Sequence, residues 1–437
     1  MNELLHPSPD EIKQPDRPKL ADILGPGLIT GASDDDPSGI ATYSQAGAQF
    51  GYTLGWTLLL TYPLMCAIQM ISAQVGRVTG RGLAGNMRRH YPIPLVYALI
   101  ALLLIANTIN IGADLGAMAA ALRLLVAGPQ LAFVAAFAII SVVLEVFMRY
   151  ARYASVLKWL TVSLFAYVAT VFAVSVPWPT VAENLIVPHI KFSGDYLTVV
   201  VAVFGTTISP YLFFWQAAEE VEEEKEDPAA KALLKAPEQA PRQMSRIQVD
   251  TLVGMGLSNL VALFIIITTA ATLNAHGMTD IQTSSQAAEA LRPIAGTFAF
   301  AIFALGIIGT GLLALPVLAG SAAYAVGETL GWRVGLAQRP GRAPAFYGTI
   351  AVATLIGAGL NFTPLDPIKA LFWSAVINGV AAVPIMAMIM LMASRKAVMG
   401  QFTLTRWLTA FGWLATAVMA AAESACSPPG EVERRSS

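Results

Sequence analysis

Long apolar stretches recur along the whole chain, and they constrain its fold more than any other feature. A bilayer core about 30 Å thick is crossed by a helix of roughly 20 mostly apolar residues, which pairs its own backbone polar groups. Apolar residues make up 56% of the chain and charged residues 13%, about half the charged share of a soluble protein. The sequence therefore predicts an all-α polytopic membrane protein.

Eleven segments are long and apolar enough to be predicted spans, and the first, sixth and eighth are long enough to be tilted or broken. The predicted spans cover residues 20–50, 53–76, 93–122, 129–148, 154–176, 195–219, 247–273, 293–325, 344–362, 367–394 and 404–425. A transmembrane domain at 20–425 is therefore expected between tails at 1–19 and 426–437. Its two halves are predicted at about 20–176 and 195–394, followed by an extra helix at 404–425.

The distribution of Lys and Arg predicts the orientation of these spans. With the N-terminus inside, 20 of the 27 basic residues fall in inside segments and six in outside segments. Basic loops stay on the cytoplasmic side, so we expect a cytoplasmic N-terminus, which fits a bacterial inner membrane. Residues 1–19 lack the apolar core of a signal peptide, and the first span is therefore expected to be retained.

Composition and motifs argue against several classes of protein. The net charge of −1 gives no basic excess for nucleic acid. Cys66 and Cys426 are expected to be small packing residues, and the four histidines fall in predicted loops or tails. No H-E-x-x-H, G-x-S-x-G or Walker pattern is present, so we expect neither an enzyme nor a cofactor. The expected partners are the lipid bilayer and a transported solute, with the chain a monomer or weak oligomer.

The first predicted span contains a helix-breaking segment beside three acids. Asp34, Asp35 and Asp36 are followed by Pro37, Ser38 and Gly39, and proline removes a backbone donor and clashes with the preceding turn. Carbonyl groups freed at membrane depth must line a cavity or bind something. We therefore expect a cation site with Asp36 as its main ligand, and at least one neighbouring acid neutral or exposed to water. The alternative is a kink whose acids cap the next half-helix.

A second break is predicted in the sixth span, at Gly205-Thr206-Thr207-Ile208-Ser209-Pro210-Tyr211. A matched pair of interrupted helices indicates a midplane binding site in a transporter built from inverted repeats, whereas a single kink is common. We expect oxygens around Gly39, Thr206 and Ser209 to complete or orient the site of Asp36. Thr207 and Tyr211 are candidate cavity residues.

Other intramembrane polar residues are weaker candidates for the cavity or its gate. Asp114 has either a proton or cation role or a buried interhelical hydrogen bond. Asn378 is a candidate cavity-lining amide, while Glu145 and Lys158 are expected to pair or snorkel. An acidic run after the second break either concentrates cations at an inner vestibule or is a solvated helix end; it contains Glu219, Glu220, Glu222, Glu223 and Glu224.

At the two breaks the sequence resembles the Nramp family of divalent-metal transporters, and the similarity extends from about residue 20 to 395. It includes Gly25-Pro26-Gly27, the Asp36-Pro37 break, Asp114, and Ser258-Asn259-Leu260. The resemblance implies a LeuT-like fold, with two inverted repeats of five helices in which helices 1 and 6 are broken. It also implies a divalent cation as the transported substrate.

The sequence departs from the family motifs at the ligand positions. Gly39 stands where the family has an asparagine ligand, Ser209 where it has methionine, and Thr206 where it has alanine. Tyr211 and Gln216 replace two histidines of the sixth helix, and Ala117 replaces a glutamate of the third span. Loss of the soft sulfur removes a preference for Mn²⁺ or Fe²⁺ over hard ions, and this pattern resembles the Nramp-related magnesium transporters.

The sequence therefore predicts a secondary transporter of Mg²⁺, also admitting Mn²⁺, that works by alternating access with the ion partly hydrated. Half-helices at 20–35 and 211–224 are expected to move as the inner gate. The main alternative is a proton-coupled Mn²⁺/Fe²⁺ symporter. A channel and a LeuT-like amino-acid transporter remain as alternatives, although acids beside the break disfavour a carboxylate substrate.

Overall fold

The computed structural model of the chain describes residues 26–147, 162–364 and 366–426, and every long regular element within these ranges is a helix. Predictions for the two tails, for the start of the first span and for the first part of the fifth span, including Lys158, lie outside the described residues.

The first half of the chain forms eight described helices, beginning with a broken pair. They are α1 Pro26–Asp34, α2 Pro37–Phe50, α3 Gly55–Thr79, α4 Leu83–His90, α5 Ile93–Arg123, α6 Gln130–Phe147, α7 Phe165–Ala173 and α8 Trp178–Ile186. A 3-10 turn at Gly51–Leu54 separates α2 from α3, and Gly51 adopts a φ of 59° there. Glycine suits this turn because a side chain is strained at positive φ.

The second half repeats the opening of the first, since its first long helix is also broken. Its helices are α9 Gly194–Thr207, α10 Pro210–Glu226, α11 Ala240–Thr272, α12 Ser284–Glu289, α13 Arg292–Ala295, α14 Ala299–Leu330, α15 Pro344–Leu360, α16 Pro367–Ala393, α17 Lys396–Met399 and α18 Arg406–Cys426. Both breaks therefore lie where the sequence predicts them, at the first helix of each half.

Eight helical stretches among the described residues are long and apolar enough to cross a membrane. A ninth arises if the pair Val162–Ala173 and Trp178–Ile186, bent by 120°, is one span, and α15 is a shorter apolar helix. One of the eight stretches, Pro37–Thr79, contains both α2 and α3. The structure thus supports a multi-pass protein, while the number of eleven spans remains a prediction.

Burial separates the central helices from those at the periphery. The most apolar part of the α9–α10 stretch is 89% buried, whereas the corresponding parts of α6 and α18 are 28% buried. Large apolar side chains such as Ile139 on α6 and Leu355 on α15 are exposed, as expected where the solvent is lipid. The second broken helix therefore lies in the middle of the bundle.

Glycines allow the broken helices to pack closely against their neighbours. On α1, a Cβ at Gly27 would lie 2.9 Å from Asp250 of α11, and one at Gly31 would overlap the backbone of Gly254. On α9, a Cβ at Gly205 would lie 2.5 Å from the Gly379 nitrogen of α16. Such backbone-to-backbone contact is the usual way for membrane helices to gain packing energy.

We expect Gly205→Ala to destabilise the protein, because the new methyl group overlaps the α16 backbone. Overpacking of this kind costs about 1–3 kcal/mol, and thermal unfolding in detergent measures the loss. Gly348→Ala on α15 is the matched control, since no atom lies within 4 Å of its Cβ position and alanine favours a helix. Equal melting temperatures for the two variants would contradict the close α9–α16 contact.

Candidate functional site

The first break places the Asp36 carboxylate at the start of α2. Because α1 ends at Asp34 and α2 begins at Pro37, Asp36 is the N-cap residue, with φ −69° and ψ 168°. Its Oδ1 accepts a hydrogen bond from the Gly39 N–H at 2.7 Å. Its Oδ2 accepts from Asn110 Nδ2 at 3.1 Å and from the Tyr211 hydroxyl at 3.4 Å. The side chain is buried and is held by neutral donors.

The second break lies between Thr207, the last residue of α9, and Pro210, the first of α10. The Ser209 hydroxyl donates to the carbonyl oxygens of Gly205 and Thr206, both at 2.8 Å. The Thr207 hydroxyl donates to the Val203 carbonyl and lies 3.4 Å from the Tyr43 hydroxyl. Two short polar side chains, Ser209 and Thr207, thus serve the carbonyl groups at the end of α9.

The two breaks meet at two contacts. The Tyr211 hydroxyl, on the second broken helix, lies 3.3 Å from the Ser33 carbonyl oxygen of the first as well as beside Asp36. A Cβ built at Gly39 would lie 3.2 Å from the Thr206 Oγ1. The structure therefore brings Asp36, Gly39, Thr206 and Tyr211 together, as the paired breaks predict.

The three consecutive acids do not converge on one point. Ser258 of α11 donates to Asp34 Oδ2 at 2.7 Å and lies 3.1 Å from Asp35 Oδ1, whereas Asp36 is held by Asn110 of α5. Within the described ranges, no group of three His, Cys, Asp or Glu side chains could hold a metal ion. Any cation at Asp36 would therefore have at most two such side chains as ligands and would need neutral oxygens to complete its shell.

Two predicted cavity residues keep buried polar atoms without partners. Among the described residues, no hydrogen-bond partner reaches the Asn378 Oδ1 or the Gln216 Nε2. Gln216 Oε1 accepts from the Thr30 hydroxyl at 2.5 Å, so it joins α10 to α1. Asp114 is fully buried on α5, and its carboxylate faces the backbone N–H of Ser38 at the start of α2. Its two predicted roles, a proton or cation role and a buried interhelical hydrogen bond, both stay predictions.

Part of the acidic run is buried and paired. Arg246 of α11 forms an ion pair with Glu220 and a second with Glu223 at 3.0 Å, and Glu220 is fully buried. Glu222 accepts from the Ala337 N–H at 3.3 Å, and Glu219 is half-buried. The stretch is thus more than a solvated helix end, because it fastens α10 to α11.

The predicted partner of Glu145, Lys158, lies outside the described residues. Ser141 lies one turn before Glu145 on α6, and its hydroxyl donates to Glu145 Oε1 at 3.0 Å. Of the cysteines, Cys66 is buried and unpaired, as expected for a packing residue.

The sequence analysis missed four residues that position the site. Asn110 contacts Asp36, and Ser374 of α16 donates to Asn110 Oδ1 at 2.7 Å. Asp250 accepts from the Gly27 N–H at 2.6 Å, and Arg246 holds α10. Helical spacing could have indicated Asn110, because it lies one turn before Asp114 on an apolar helix. No comparable pattern marks Asp250 or Ser374.

A bundle with two matched helix breaks around a buried carboxylate defines a membrane transport protein rather than an enzyme. Comparison with solved structures shows which fold these helices adopt. The Eremococcus coleocola manganese transporter superposes with a TM-score of 0.75 at 18% identity, covering 92% of this chain and 86% of that one. MHP1, a nucleobase-cation-symport-1 family transporter, superposes with a TM-score of 0.56 at 14% identity and covers 92% of both chains. The fold is therefore LeuT-like, as predicted.

The chain belongs to the Nramp family, whose model, described as natural resistance-associated macrophage protein-like, matches residues 27–426. Curated relatives include the divalent metal cation transporter MntH of Klebsiella pneumoniae, 26% identical over 92% of both chains. MntH of Yersinia pestis is also 26% identical, over 69% of this chain and 72% of its own. The predicted family is thereby confirmed.

We expect Asp250→Ala to loosen α1, because the Gly27 N–H loses its acceptor and an unpaired buried donor costs about 1–3 kcal/mol. A Thr30→Cys reporter in a Cys66→Ser, Cys426→Ser background measures this. Its modification by a bulky maleimide should be about tenfold faster, the equivalent of 1.4 kcal/mol.

Asp250→Asn is the matched control, since its amide oxygen still accepts from Gly27 and the reporter should react as in the parent. An Asp250→Ala protein whose reporter reacts no faster would contradict the role of Asp250 in holding α1.

Proposed function

We propose that the protein is a secondary transporter of divalent metal cations, with Mg²⁺ as the favoured ion and Mn²⁺ also admitted. The observation that carries the proposal is the buried carboxylate of Asp36, which lies at the meeting of two helix breaks and is contacted by amide and hydroxyl groups. In this proposal Asp36 binds the ion, and Gly39, Thr206 and Ser209 orient a partly hydrated shell.

The divalent-cation part of the proposal is supported by family membership and by relatives named as divalent metal cation transporters. A carboxylate at membrane depth is costly unless it serves a cation or proton. The protein's class and the chemistry of Asp36 therefore agree.

The choice of Mg²⁺ is supported by the donor set. Ser209 supplies a hydroxyl where the family has a thioether, and its side chain already donates to two carbonyl groups. Without a soft ligand, transition metals lose their advantage over hard ions. Mg²⁺ keeps several of its waters and often binds through one or two carboxylates. The Asp36 carboxylate and its neutral polar neighbours are a donor set of this kind.

The alternative, a proton-coupled Mn²⁺/Fe²⁺ symporter of the ordinary family type, is favoured by one observation. Asp114 is fully buried on a membrane-spanning helix, where a carboxylate is costly unless it carries a proton or serves a cation. Against it, Tyr211, Gln216 and Ala117 replace the groups that serve the family's proton route. We therefore retain Mg²⁺ transport as the main proposal.

Alternating access in this proposal involves α1 and α10 as the inner gate. Both are joined to α11, α1 through Asp250 and α10 through Arg246, and Gln216 joins them to each other. The proposed orientation has the N-terminus in the cytoplasm of a bacterial cell, so these half-helices close the cytoplasmic side.

In proteoliposomes we expect millimolar Mg²⁺ to compete strongly with Mn²⁺ uptake, because both ions use Asp36. Asp36→Asn, which keeps the shape of the side chain but removes its charge, should reduce uptake of both ions by at least about tenfold, since buried metal sites depend on charged ligands. Strong Mn²⁺ uptake that ignores millimolar Mg²⁺ would favour the alternative.

We expect Ser209→Met to shift selectivity toward Mn²⁺ and Cd²⁺, because a thioether is a soft ligand. Competition by Mg²⁺ should then weaken relative to competition by Cd²⁺ in the same uptake assay. Ser209→Leu is the control, because it has similar bulk without sulfur. If Met and Leu give the same ion profile, sulfur at this position does not select.

A further inference from the structure

The Asn110 amide is the polar group of α5 that reaches Asp36. Asn110 is fully buried; its Nδ2 donates to Asp36 Oδ2 at 3.1 Å and its Oδ1 accepts from the Ser374 hydroxyl at 2.7 Å. The amide is therefore held between a carboxylate on one side and a hydroxyl on the other.

The Ser374 hydroxyl can serve either end of this amide. It lies 2.7 Å from the Leu371 carbonyl oxygen and 3.2 Å from the Ser38 hydroxyl. If the Asn110 amide turns by 180°, Nδ2 faces Ser374 Oγ, which accepts from it and donates to Leu371 instead. The turn keeps a hydrogen bond at Ser374 and places Oδ1 beside Asp36. The two ends of an amide have nearly the same shape, so the pocket accommodates both orientations.

A cation decides which orientation is favoured. With Asp36 alone, the Asn110 NH₂ group stabilises the carboxylate. With a divalent cation at Asp36, the same NH₂ group would point its positive end at the ion, whereas the amide oxygen would be attracted to it. Amide oxygens are common ligands of hard cations.

The space around Gly39 leaves little room for an amide side chain at this position of α2. A Cβ at Gly39 would lie 3.2 Å from Thr206 Oγ1 and 3.3 Å from Tyr43 Cε2, so a side chain fits there only if a neighbour gives way. The family pairs asparagine at this position with alanine at that of Thr206. In this chain Thr206 fills the space, and Asn110 approaches Asp36 from the α5 side.

We propose that Asn110 supplies the amide oxygen of the cation site by turning its side chain when the ion binds, in place of the asparagine that Gly39 replaces. The assignment rests on the proposed function, since it concerns the same cation at Asp36. Asn110 is then a ligand residue that fixes the affinity for hard ions, and Ser374 is the positioning residue that permits the turn.

The test is isothermal titration of purified protein with Mg²⁺, together with melting temperatures in the absence and presence of Mg²⁺. Asn110→Asp keeps the shape of the side chain and offers only oxygen. If the Asn110 oxygen faces the ion, this variant binds Mg²⁺ at least as tightly as the parent. Its ion-free form melts lower, because two carboxylates then face each other, and Mg²⁺ restores the loss. If Asn110 acts only as a donor to Asp36, Asn110→Leu removes a contact of the ion-free carboxylate and binds Mg²⁺ at least as tightly as the parent.

Asn110→Leu should weaken Mg²⁺ binding by about tenfold or more, the scale on which lost partners weaken metal sites. Asn107→Leu is the matched control, one turn earlier on α5. Asn107 is equally buried, but its amide donates to the Leu318 carbonyl and the Ser321 hydroxyl. The Asn107→Leu variant should be less stable than the parent without a comparable loss of Mg²⁺ affinity. In the Asn110→Leu background, Gly39→Asn with Thr206→Ala should restore Mg²⁺ binding by returning an amide to α2.

Either of two results would overturn the assignment of Asn110, provided that Asp36→Ala still abolishes Mg²⁺ binding. One is weaker Mg²⁺ binding by Asn110→Asp, and the other is parent-like Mg²⁺ binding by Asn110→Leu. Mg²⁺ binding that survives Asp36→Ala would instead overturn the proposed cation site, and the assignment of Asn110 with it.

Discussion

A helix that stops inside a bilayer leaves backbone N–H and C=O groups unpaired, and lipid offers them no partner. The rest of this structure depends on how that requirement is met at the two breaks. Asp36 caps the start of α2 through the Gly39 N–H, Ser209 serves two carbonyl groups at the end of α9, and Tyr211 reaches the Ser33 carbonyl of the other break. The side chains that pair with the backbone at the breaks are thus the ones that the proposed function places around the ion.

Because Asp36 both caps α2 and is the proposed ion ligand, its hydrogen-bond donors determine whether its charge can serve a cation. A carboxylate that caps a helix keeps its negative charge close to aligned N–H groups, which stabilise it without any basic residue. The neighbouring donors from Asn110 and Tyr211 are neutral, so the charge of Asp36 remains available to a cation. An arginine or lysine in their place would satisfy the carboxylate and close the site to cations.

Much of the fold could be predicted from the sequence, because long apolar segments and the helix-breaking proline and glycine residues around Pro37 and Pro210 are local signals. The pairing of the breaks followed from their matched positions in the two halves, whereas Tyr211, which contacts Asp36, was predicted only as a candidate cavity residue. Contacts between distant helices could not be read in this way. Nothing local marks Ser374 as the partner of Asn110, or Asp250 as the acceptor for Gly27, since each pair depends on how α16 and α11 are rotated in the bundle.

The glycine contacts between α1 and α11 have a mechanical consequence. Gly27 and Gly31 bring the α1 backbone against Asp250 and Gly254, so at these two positions no side chain of α1 is seated in a groove of α11. Ridges seated in grooves must be lifted out before two helices can change register, because packed side chains interdigitate. A glycine needs no such separation, so these two positions offer little steric resistance to a shift of α1 along α11. Such a shift would have to break the polar contacts of Gly27 with Asp250 and of Asp34 with Ser258.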